Sequence, residues 1–261
     1  MKTKLIFLLL FIIISSNKNL SFCNCFAKDS SIVQNNNRFA LELYSEISSK
    51  PGNIILSPFS ISSALAMTYA GARGNTEKQM SNVMHFTLNQ ALFHNDFRQL
   101  SDNIEQLDNE KGIEINIANS LWAQKNYSFL DKFLKLTKKY YSAGLQFVDF
   151  VKETEKSRKL INQWVEKETK QKIKDLLIPG TIDQSTVLVL TNAIYFYGTW
   201  ANKFDKNNTY KSFFSINDTT KVESSFMKQS DKFNYYENNN LQALELPYSN
   251  KSEKYFVIIC T

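Results

Sequence analysis

A nearly continuous apolar stretch, residues 187–196, constrains the possible fold of this chain more than any other feature. It reads Val-Leu-Val-Leu-Thr-Asn-Ala-Ile-Tyr-Phe. A strand with one face in water alternates apolar and polar residues, whereas this strand is apolar on both faces. We therefore predict that it lies centrally in a buried sheet.

Segments before this strand carry apolar residues at helical spacing. The clearest one has five large apolar residues at steps of four and three: Phe93, Phe97, Leu100, Ile104 and Leu107, as in an amphipathic helix. Ser57-Pro58 predicts a helix start, with a hydroxyl N-cap followed by proline, and Thr76–Gln79 has the pattern of a capping box. The other predicted helices cover residues 38–47, 133–140 and 152–169.

Short alternating or apolar runs predict further strands. Ile113, Ile115 and Ile117 alternate with Glu114 and Asn116, which indicates a half-buried strand. The remaining predicted strands are 53–56, 145–150, 210–214, 221–227, 233–236, 241–246 and 254–260, with a turn at Asn217-Asp218. No linker or change of composition marks a second domain, so we predict one α+β domain over residues 28–261.

The first 27 residues have the pattern of a secretory signal peptide. Lys2 and Lys4 precede the apolar run 5–14, which is too short to cross a bilayer, since that takes about 20 residues. Small residues favour cleavage after Ala27, although Cys23 leaves a bacterial lipoprotein signal as an alternative. We predict a secreted, extracellular protein, or a periplasmic one if the source is bacterial. Cleavage would remove three lysines and no acid, which lowers the formal charge from +6 to +3.

The composition and motifs argue against an enzyme. With 43% hydrophobic and 21% charged residues the chain is globular rather than disordered. It has no nucleophile elbow, phosphate-binding loop or zinc-protease motif. His85 and His94 are interpreted as ordinary surface histidines and Cys260 as an inert strand cysteine, so we predict no catalytic residue, metal or cofactor. The chain holds 27 asparagines, so no motif that depends on asparagine alone is given weight.

Lys132, Lys135, Lys138 and Lys139 form a basic patch on a predicted helix. Such a patch could contact a polyanion such as a heparin-like polymer or DNA. It could equally be the solvated face of the helix, and the sequence leaves both open.

Several segments, in the same order, resemble the serpins. The first is Asn-Ile-Ile-Leu-Ser-Pro-Phe-Ser-Ile at 53–61, followed by Gly-Ala-Arg-Gly-Asn-Thr at 71–76. The others are Asn-Gln-Trp-Val at 162–165, the strand 190–196 with Trp200 and Phe204 after it, and Leu-Pro-Tyr at 246–248. The resemblance implies a serpin-like α+β fold, with helices packed on a large central β-sheet and further strands in smaller sheets.

The resemblance also implies a function. Serpins are suicide inhibitors of serine or cysteine proteases, in which a cleaved reactive loop inserts as an extra strand of the central sheet. The strand 186–196 would form one side of the gap that receives the loop. Asn53, Ser57, Ser60 and Asn192 would belong to the polar cluster that controls sheet opening, and Trp200 would lie near the top of the sheet. These five residues could instead serve only the core and the helix caps.

Residues 255–259 resemble the strand after which serpins continue with the reactive loop and the last core strands. The resemblance therefore places the reactive bond outside these 261 residues and makes the fold incomplete at its C-terminus. We expect the chain by itself not to trap a protease. The alternative is a non-inhibitory exported serpin-like binding protein or a decaying gene product.

Overall fold

The computed structural model describes residues 29–48, 52, 54–109, 112–238 and 241–248. The predicted signal peptide at 1–27, Asn53, Cys260 and the predicted strand at 254–260 lie outside the described residues. The described residues divide into two compact units, one within 29–109 and 114–196 and the other within 112–113 and 197–248. The single domain over 28–261 stays a prediction.

The helices of the larger unit largely follow the predicted pattern. They are α1 (Asp29–Ser48), α2 (Pro58–Tyr69), α3 (Gly74–Val83), α4 (Gln90–Glu105), α5 (Asp131–Tyr141) and α6 (Thr154–Glu168). No helix in the described part is long and apolar enough to cross a bilayer.

Two helix starts differ from the prediction. Helix α1 begins nine residues earlier than predicted, at Asp29, because Ile32 and Phe39 lie seven residues apart on its buried face and are only 4% and 6% exposed. The capping box at Thr76 is wrong, since α3 begins at Gly74 and Thr76 lies inside it. Gly74 has a φ of +60°, a left-handed conformation that glycine adopts readily and that turns the chain into the helix early.

The larger unit contains a three-stranded sheet. Its strands are β1 (Ile113–Gln124), β2 (Gly144–Val148) and β3 (Leu188–Gly198), in the order β2-β1-β3. Strands β1 and β2 are parallel, in a register that pairs Ser120 with Gly144.

Helices cover both faces of this sheet. Leu190 packs on the core formed by α1, α2, α4 and α5, whereas its neighbour Val189 packs on the core that contains Ile161 of α6. Leu121 and Trp122 of β1 divide between the same two cores, because successive side chains of a strand point to opposite faces. Both faces of β3 therefore pack on a core, although only Thr191, Ala193 and Tyr195 are fully buried and the other residues of 187–196 are half-buried. Within the described residues β3 is the last strand of the sheet rather than a central one.

The smaller unit consists mainly of hairpins. Strands β4 (Tyr210–Ser215) and β5 (Lys221–Phe226) pair antiparallel, as do β6 (Tyr235–Asn238) and β7 (Leu241–Leu244). The predicted turn at Asn217 is confirmed, since its Oδ1 accepts hydrogen bonds from the backbone of Thr219 and Thr220 at 3.0 and 2.7 Å.

Among the fully buried side chains of the described helical core is a titratable ring, that of His94. Its Nδ1 lies 2.6 Å from the hydroxyl oxygen of Tyr141, and its Nε2 has no hydrogen-bond partner in the described part of the chain. Burial, and to a lesser extent the positive charge of Arg73, lowers the pKa of His94 to about 4. The interpretation of His94 as an ordinary surface histidine is therefore wrong in its placement, because the ring is a neutral core side chain.

We predict that His94 makes the fold sensitive to acid. Its pKa of about 4 in the folded state lies below the value of about 6.5 expected after unfolding. The unfolded chain therefore binds a proton that the folded chain does not, and stability falls as the pH is lowered from about 6.5 towards 4. Urea unfolding should show that the loss of stability between pH 7 and pH 4.5 is about 2 kcal/mol smaller for His94→Gln than for the wild type.

The matched control is His85→Gln, which replaces the other of the two histidines. The His85 side chain is partly exposed, and its Nε2 lies 2.7 Å from a carboxylate oxygen of Glu42. This variant should keep the steep fall in stability. An equal flattening of the pH profile by both substitutions would contradict the assignment to His94.

Candidate functional site

The first part of the candidate site is the start of helix α2. Ser57 is the N-cap, as predicted, and its Oγ accepts a hydrogen bond of 3.4 Å from the backbone nitrogen of Ser60. Pro58 occupies the first helical position, where its missing N–H is not needed. This geometry places the Ser60 hydroxyl in the first turn, directed at the sheet.

The sheet provides the partner of that hydroxyl. Ser60 Oγ donates to Oδ1 of Asn192 on β3. Asn192 Nδ2 in turn donates to Oδ1 of Asn119 on β1, at 2.7 Å. The even-numbered residues of β3 face the helices α1, α2, α4 and α5, as Leu188 and Leu190 do. Asn192 is therefore the polar member of an otherwise apolar row.

The chain of hydrogen bonds continues into α5. Asn119 Nδ2 donates to the backbone carbonyl oxygen of Tyr141, the last residue of that helix, at 3.0 Å. The side chains of Ser57, Ser60, Asn119 and Asn192 thus form one cluster, called the sheet cluster below. It links α2, β3, β1 and the C-terminal end of α5.

Of the predicted site residues, the structure brings Ser57, Ser60 and Asn192 together. Asn119 was not predicted. The one sequence signal for Asn119 is that an asparagine stands between the apolar residues Ile117 and Leu121 on the same face of a predicted strand. This signal is weak in a chain with 27 asparagines. Asn53 lies outside the described residues, so its place in the cluster stays a prediction.

The opposite face of the sheet has its own polar pair. Thr191 is 4% exposed, and its Oγ1 accepts from the indole nitrogen of Trp122 at 3.0 Å and donates to the backbone of Ser120 at 3.3 Å. Thr191 and Asn192 therefore both bond to β1, one on each face of the sheet, and Asn192 also bonds to Ser60 of α2.

The C-terminal end of helix α6 is bound to this second face of the sheet by polar contacts. Asn116 of β1 donates to the carbonyl oxygen of Glu168 at 2.9 Å. Lys170 forms an ion pair with Glu114 at 2.5 Å, and its Nζ lies 4.9 Å from the centre of the Tyr195 ring on β3. The ion pair raises the pKa of Lys170, so the ammonium group is charged at neutral pH.

The outer edge of β3 is the remaining element of the site. Within the described residues β3 is paired on one side only, with β1. The N–H and C=O groups of its outer edge can therefore accept a further strand. Because both faces of β3 are covered, such a strand would have to enter between two layers of helices.

Trp200 belongs to the smaller unit. Its ring stacks on that of Tyr248 at 4.6 Å and 11°, and Phe204 meets it edge-on at 6.2 Å. A single antiparallel bridge joins the Trp200 and Tyr248 backbones, and burial raises the pKa of Tyr248 to about 12. Trp200 is thus held in an aromatic cluster of its own unit.

Within the described residues, no group of three or more His, Cys, Asp or Glu side chains is arranged to hold a metal ion. The absence of metals and cofactors from the protein as a whole stays a prediction. Within the described residues, the site offers a hydrogen-bonded sheet centre and a strand, β3, that has a neighbouring strand on one side only.

Comparison with known proteins identifies a family for this architecture. A sequence model of the family "Serpin (serine protease inhibitor)" matches residues 34–260. The leukocyte elastase inhibitor of Sus scrofa is 42% identical over 228 residues, which is 86% of this chain and 60% of that protein. An uncharacterized serpin-like protein of Methanosarcina acetivorans is 36% identical over 228 residues, or 53% of its length.

Solved structures agree with these matches. Emu ovalbumin superposes with a TM-score of 0.81 at 31% identity, over 88% of this chain and 63% of that one. An Arabidopsis serpin in its native stressed conformation gives 0.74 at 28% identity, over 85% and 58%. The described fold is therefore part of the serpin α+β fold, and the chain spans about three fifths of the length of these relatives.

We predict that Asn192→Asp destabilises the protein strongly although the two side chains have the same shape. The carboxylate can still accept from Ser60, but it loses the donor to Asn119 and faces the Oδ1 of that residue instead. We expect a loss of about 2–4 kcal/mol in the free energy of unfolding. Urea denaturation at pH 7 measures it.

Asn103→Asp is the matched control, because Asn103 is an exposed residue of α4. It should change the stability by about 0.5 kcal/mol or less. Similar losses for both variants would show that the Asn192–Asn119 hydrogen bond does not hold the sheet.

Proposed function

The chain belongs to the serpin family, and we propose that this protein inhibits a serine or cysteine protease as a suicide substrate and is not itself an enzyme. The observation that carries the proposal is the outer edge of β3, beside which the described residues place no further strand. Side chains of β3 pack on a core on each side of the sheet, and the strand is adjacent to the sheet cluster. The relatives that are named as inhibitors support it.

In the proposed reaction, the protease nucleophile attacks the carbonyl carbon of one peptide bond in an exposed loop. The C–N bond breaks, the new amine leaves with a proton, and an ester or thioester links the loop to the protease. Strand addition, of which serpin loop insertion is an established example, then adds the loop to β3. This movement would carry the acyl-enzyme away from its productive geometry before water hydrolyses it.

The residues of this chain would act on the strand-addition step. The backbone of β3 supplies hydrogen bonds to the incoming strand, and the hydrogen bonds around Asn116 and Lys170 hold α6 over the sheet. We propose that Asn53, Ser57, Ser60 and Asn192 control sheet opening, together with Asn119, which the structure adds to them. In the same proposal Trp200 acts near the top of the sheet, where insertion begins.

Leukocyte elastase is the first target to test. The inhibitors of that protease in pig, human and horse are 40–42% identical to this chain over at least 228 residues. The alternative is a non-inhibitory exported serpin-like binding protein or a decaying gene product. Export itself stays a prediction.

The test is to mix the protein expressed from its native gene with an equimolar amount of elastase and look for a complex that resists SDS. We expect a covalent band at the summed mass of the protease and the cleaved inhibitor. Elastase whose catalytic serine is replaced by alanine should give no band, because no acyl bond can form.

Cleavage of the protein with no covalent band would contradict inhibition of elastase. A panel of serine and cysteine proteases then separates a wrong target from a wrong function. If every cleaving protease turns over without being trapped, the non-inhibitory alternative holds.

A further inference from the structure

The C-terminal end of helix α5 is a point where another helix and the sheet meet. Tyr141 is the last residue of α5, and Ser142 ends the helix with a φ of +51°, in the left-handed region. The last carbonyl groups of a helix have no partner within it, so the carbonyl group of Tyr141 is available to another element. Asn119 of β1 uses it, donating from Nδ2 at 3.0 Å. The backbone end of Tyr141 is thus attached to the sheet cluster.

The side-chain end of Tyr141 is attached to helix α4. Tyr141 is buried, and its hydroxyl oxygen lies 2.6 Å from Nδ1 of His94. The centre of its ring lies 5.7 Å from that of the His94 ring and 5.9 Å from that of the Phe97 ring. Burial holds the pKa of Tyr141 well above its usual range, so the hydroxyl group keeps its proton at neutral pH.

Helix α4 makes a second contact with the same end of α5. Arg98 Nη1 donates to the hydroxyl oxygen of Ser142 at 2.5 Å, and a carboxylate oxygen of Asp102 lies 2.6 Å from the Nε of the same guanidinium group. His94 and Arg98 are four residues apart, so they lie on one face of α4. That face therefore binds the side chains of both Tyr141 and Ser142, while β1 binds the carbonyl group between them.

We propose that Tyr141 is a positioning residue for sheet opening. Its carbonyl group orients Asn119, which accepts a hydrogen bond from Asn192, which in turn accepts one from Ser60. Movement of β3 away from its closed position would strain these bonds as far as the helix end that α4 holds. Helix α4 therefore takes part in the control of the sheet, although none of its side chains belongs to the sheet cluster. The consequence for protease inhibition rests on the proposed function, whereas sheet opening itself does not.

Core packing by itself does not require a hydroxyl group at this position. A phenylalanine would fill the same aromatic core, in which Phe93 and Phe97 already lie. The pair of His94 and Tyr141 instead leaves Nε2 of His94 buried with no hydrogen-bond partner among the described residues, a cost that an apolar pair would avoid. What the hydroxyl group adds is direction, because a hydrogen bond at the ring end fixes the angle of the residue and apolar contacts do not.

Hydrogen exchange followed by mass spectrometry tests the proposal on the protein expressed from its native gene. Tyr141→Phe removes the hydroxyl group and keeps the ring. At neutral pH we expect the backbone amides of β1 and β3 to exchange about tenfold faster than in the wild type, as for the loss of one hydrogen bond, while the amides of α1 keep their rate. The faster exchange should not change at low urea concentrations, because a local opening exposes little new surface.

Tyr140→Phe is the matched control, because Tyr140 is the adjacent tyrosine and packs on the same core. Its ring also faces His94, at 6.1 Å between centres. This variant should leave the exchange of β1 and β3 unchanged. Equal acceleration by the two variants, unchanged exchange in Tyr141→Phe, or acceleration of α1 as large as that of the sheet would each overturn the proposal.

The double variant His94→Leu/Tyr141→Phe separates positioning from burial, and it also decides the question if Tyr141→Phe alone fails to fold. It removes both polar partners, a change that can be nearly neutral for stability. We expect the urea midpoint to return close to that of the wild type while β1 and β3 still exchange about tenfold faster. Recovery of slow exchange together with stability would overturn the proposal, because the hydroxyl group would then serve only to pair with His94. No protease is used, so a failure of the proposed inhibition and a failure of this inference are distinguishable.

Discussion

Burial of β3 on both faces is the constraint on which the rest of the larger unit depends. In a strand with one solvent-exposed face, polar side chains can form hydrogen bonds with water, but both faces of β3 pack against the protein. Its apolar residues divide between the two cores, and its polar residues, Thr191 and Asn192, must find partners inside the protein. An unpaired buried polar group costs about 1–3 kcal/mol, so the positions of those partners are as constrained as those of the core residues.

The two polar residues meet this demand differently. Thr191 is satisfied within the sheet, by Trp122 and the backbone of Ser120. Asn192 reaches out of the sheet to Ser60, as well as across it to Asn119. The first arrangement only ties strand to strand. The second ties the sheet to a helix, so that any lateral movement of β3 relative to α2 must break a directional hydrogen bond.

Local patterns in the sequence predict the elements well where packing is periodic. The steps of four and three from Phe93 and the hydroxyl-proline start at Ser57 both correspond to helices. The sequence patterns fail where one residue overrides them, as Gly74 does for the predicted capping box. They also fail where a helix continues through polar residues to a distant buried apolar residue, as α1 does to Ile32. The sheet cluster could not be predicted from periodicity at all. The period of a strand shows which face Asn192 is on, but its partners lie 73 and 132 residues away in sequence. The resemblance to a family supplied Ser60, and only the structure supplied Asn119.

A wholly apolar junction between α2 and β3 would be a simpler way to hold the sheet, and it need not be less stable. It would, however, be tolerant of slippage, since apolar contacts are non-directional. A shift of β3 by one residue would turn the Asn192 side chain to the face covered by α6 and the Thr191 side chain to the face covered by α1, α2, α4 and α5. Both sets of hydrogen bonds would then break at once. The hydrogen bonds of Thr191 and Asn192 therefore fix a single register of β3 against β1. In the proposed mechanism the sheet has to remain closed until a strand is supplied and then open in one step. A short chain of directional hydrogen bonds meets that requirement better than a graded apolar contact, because it is either intact or broken.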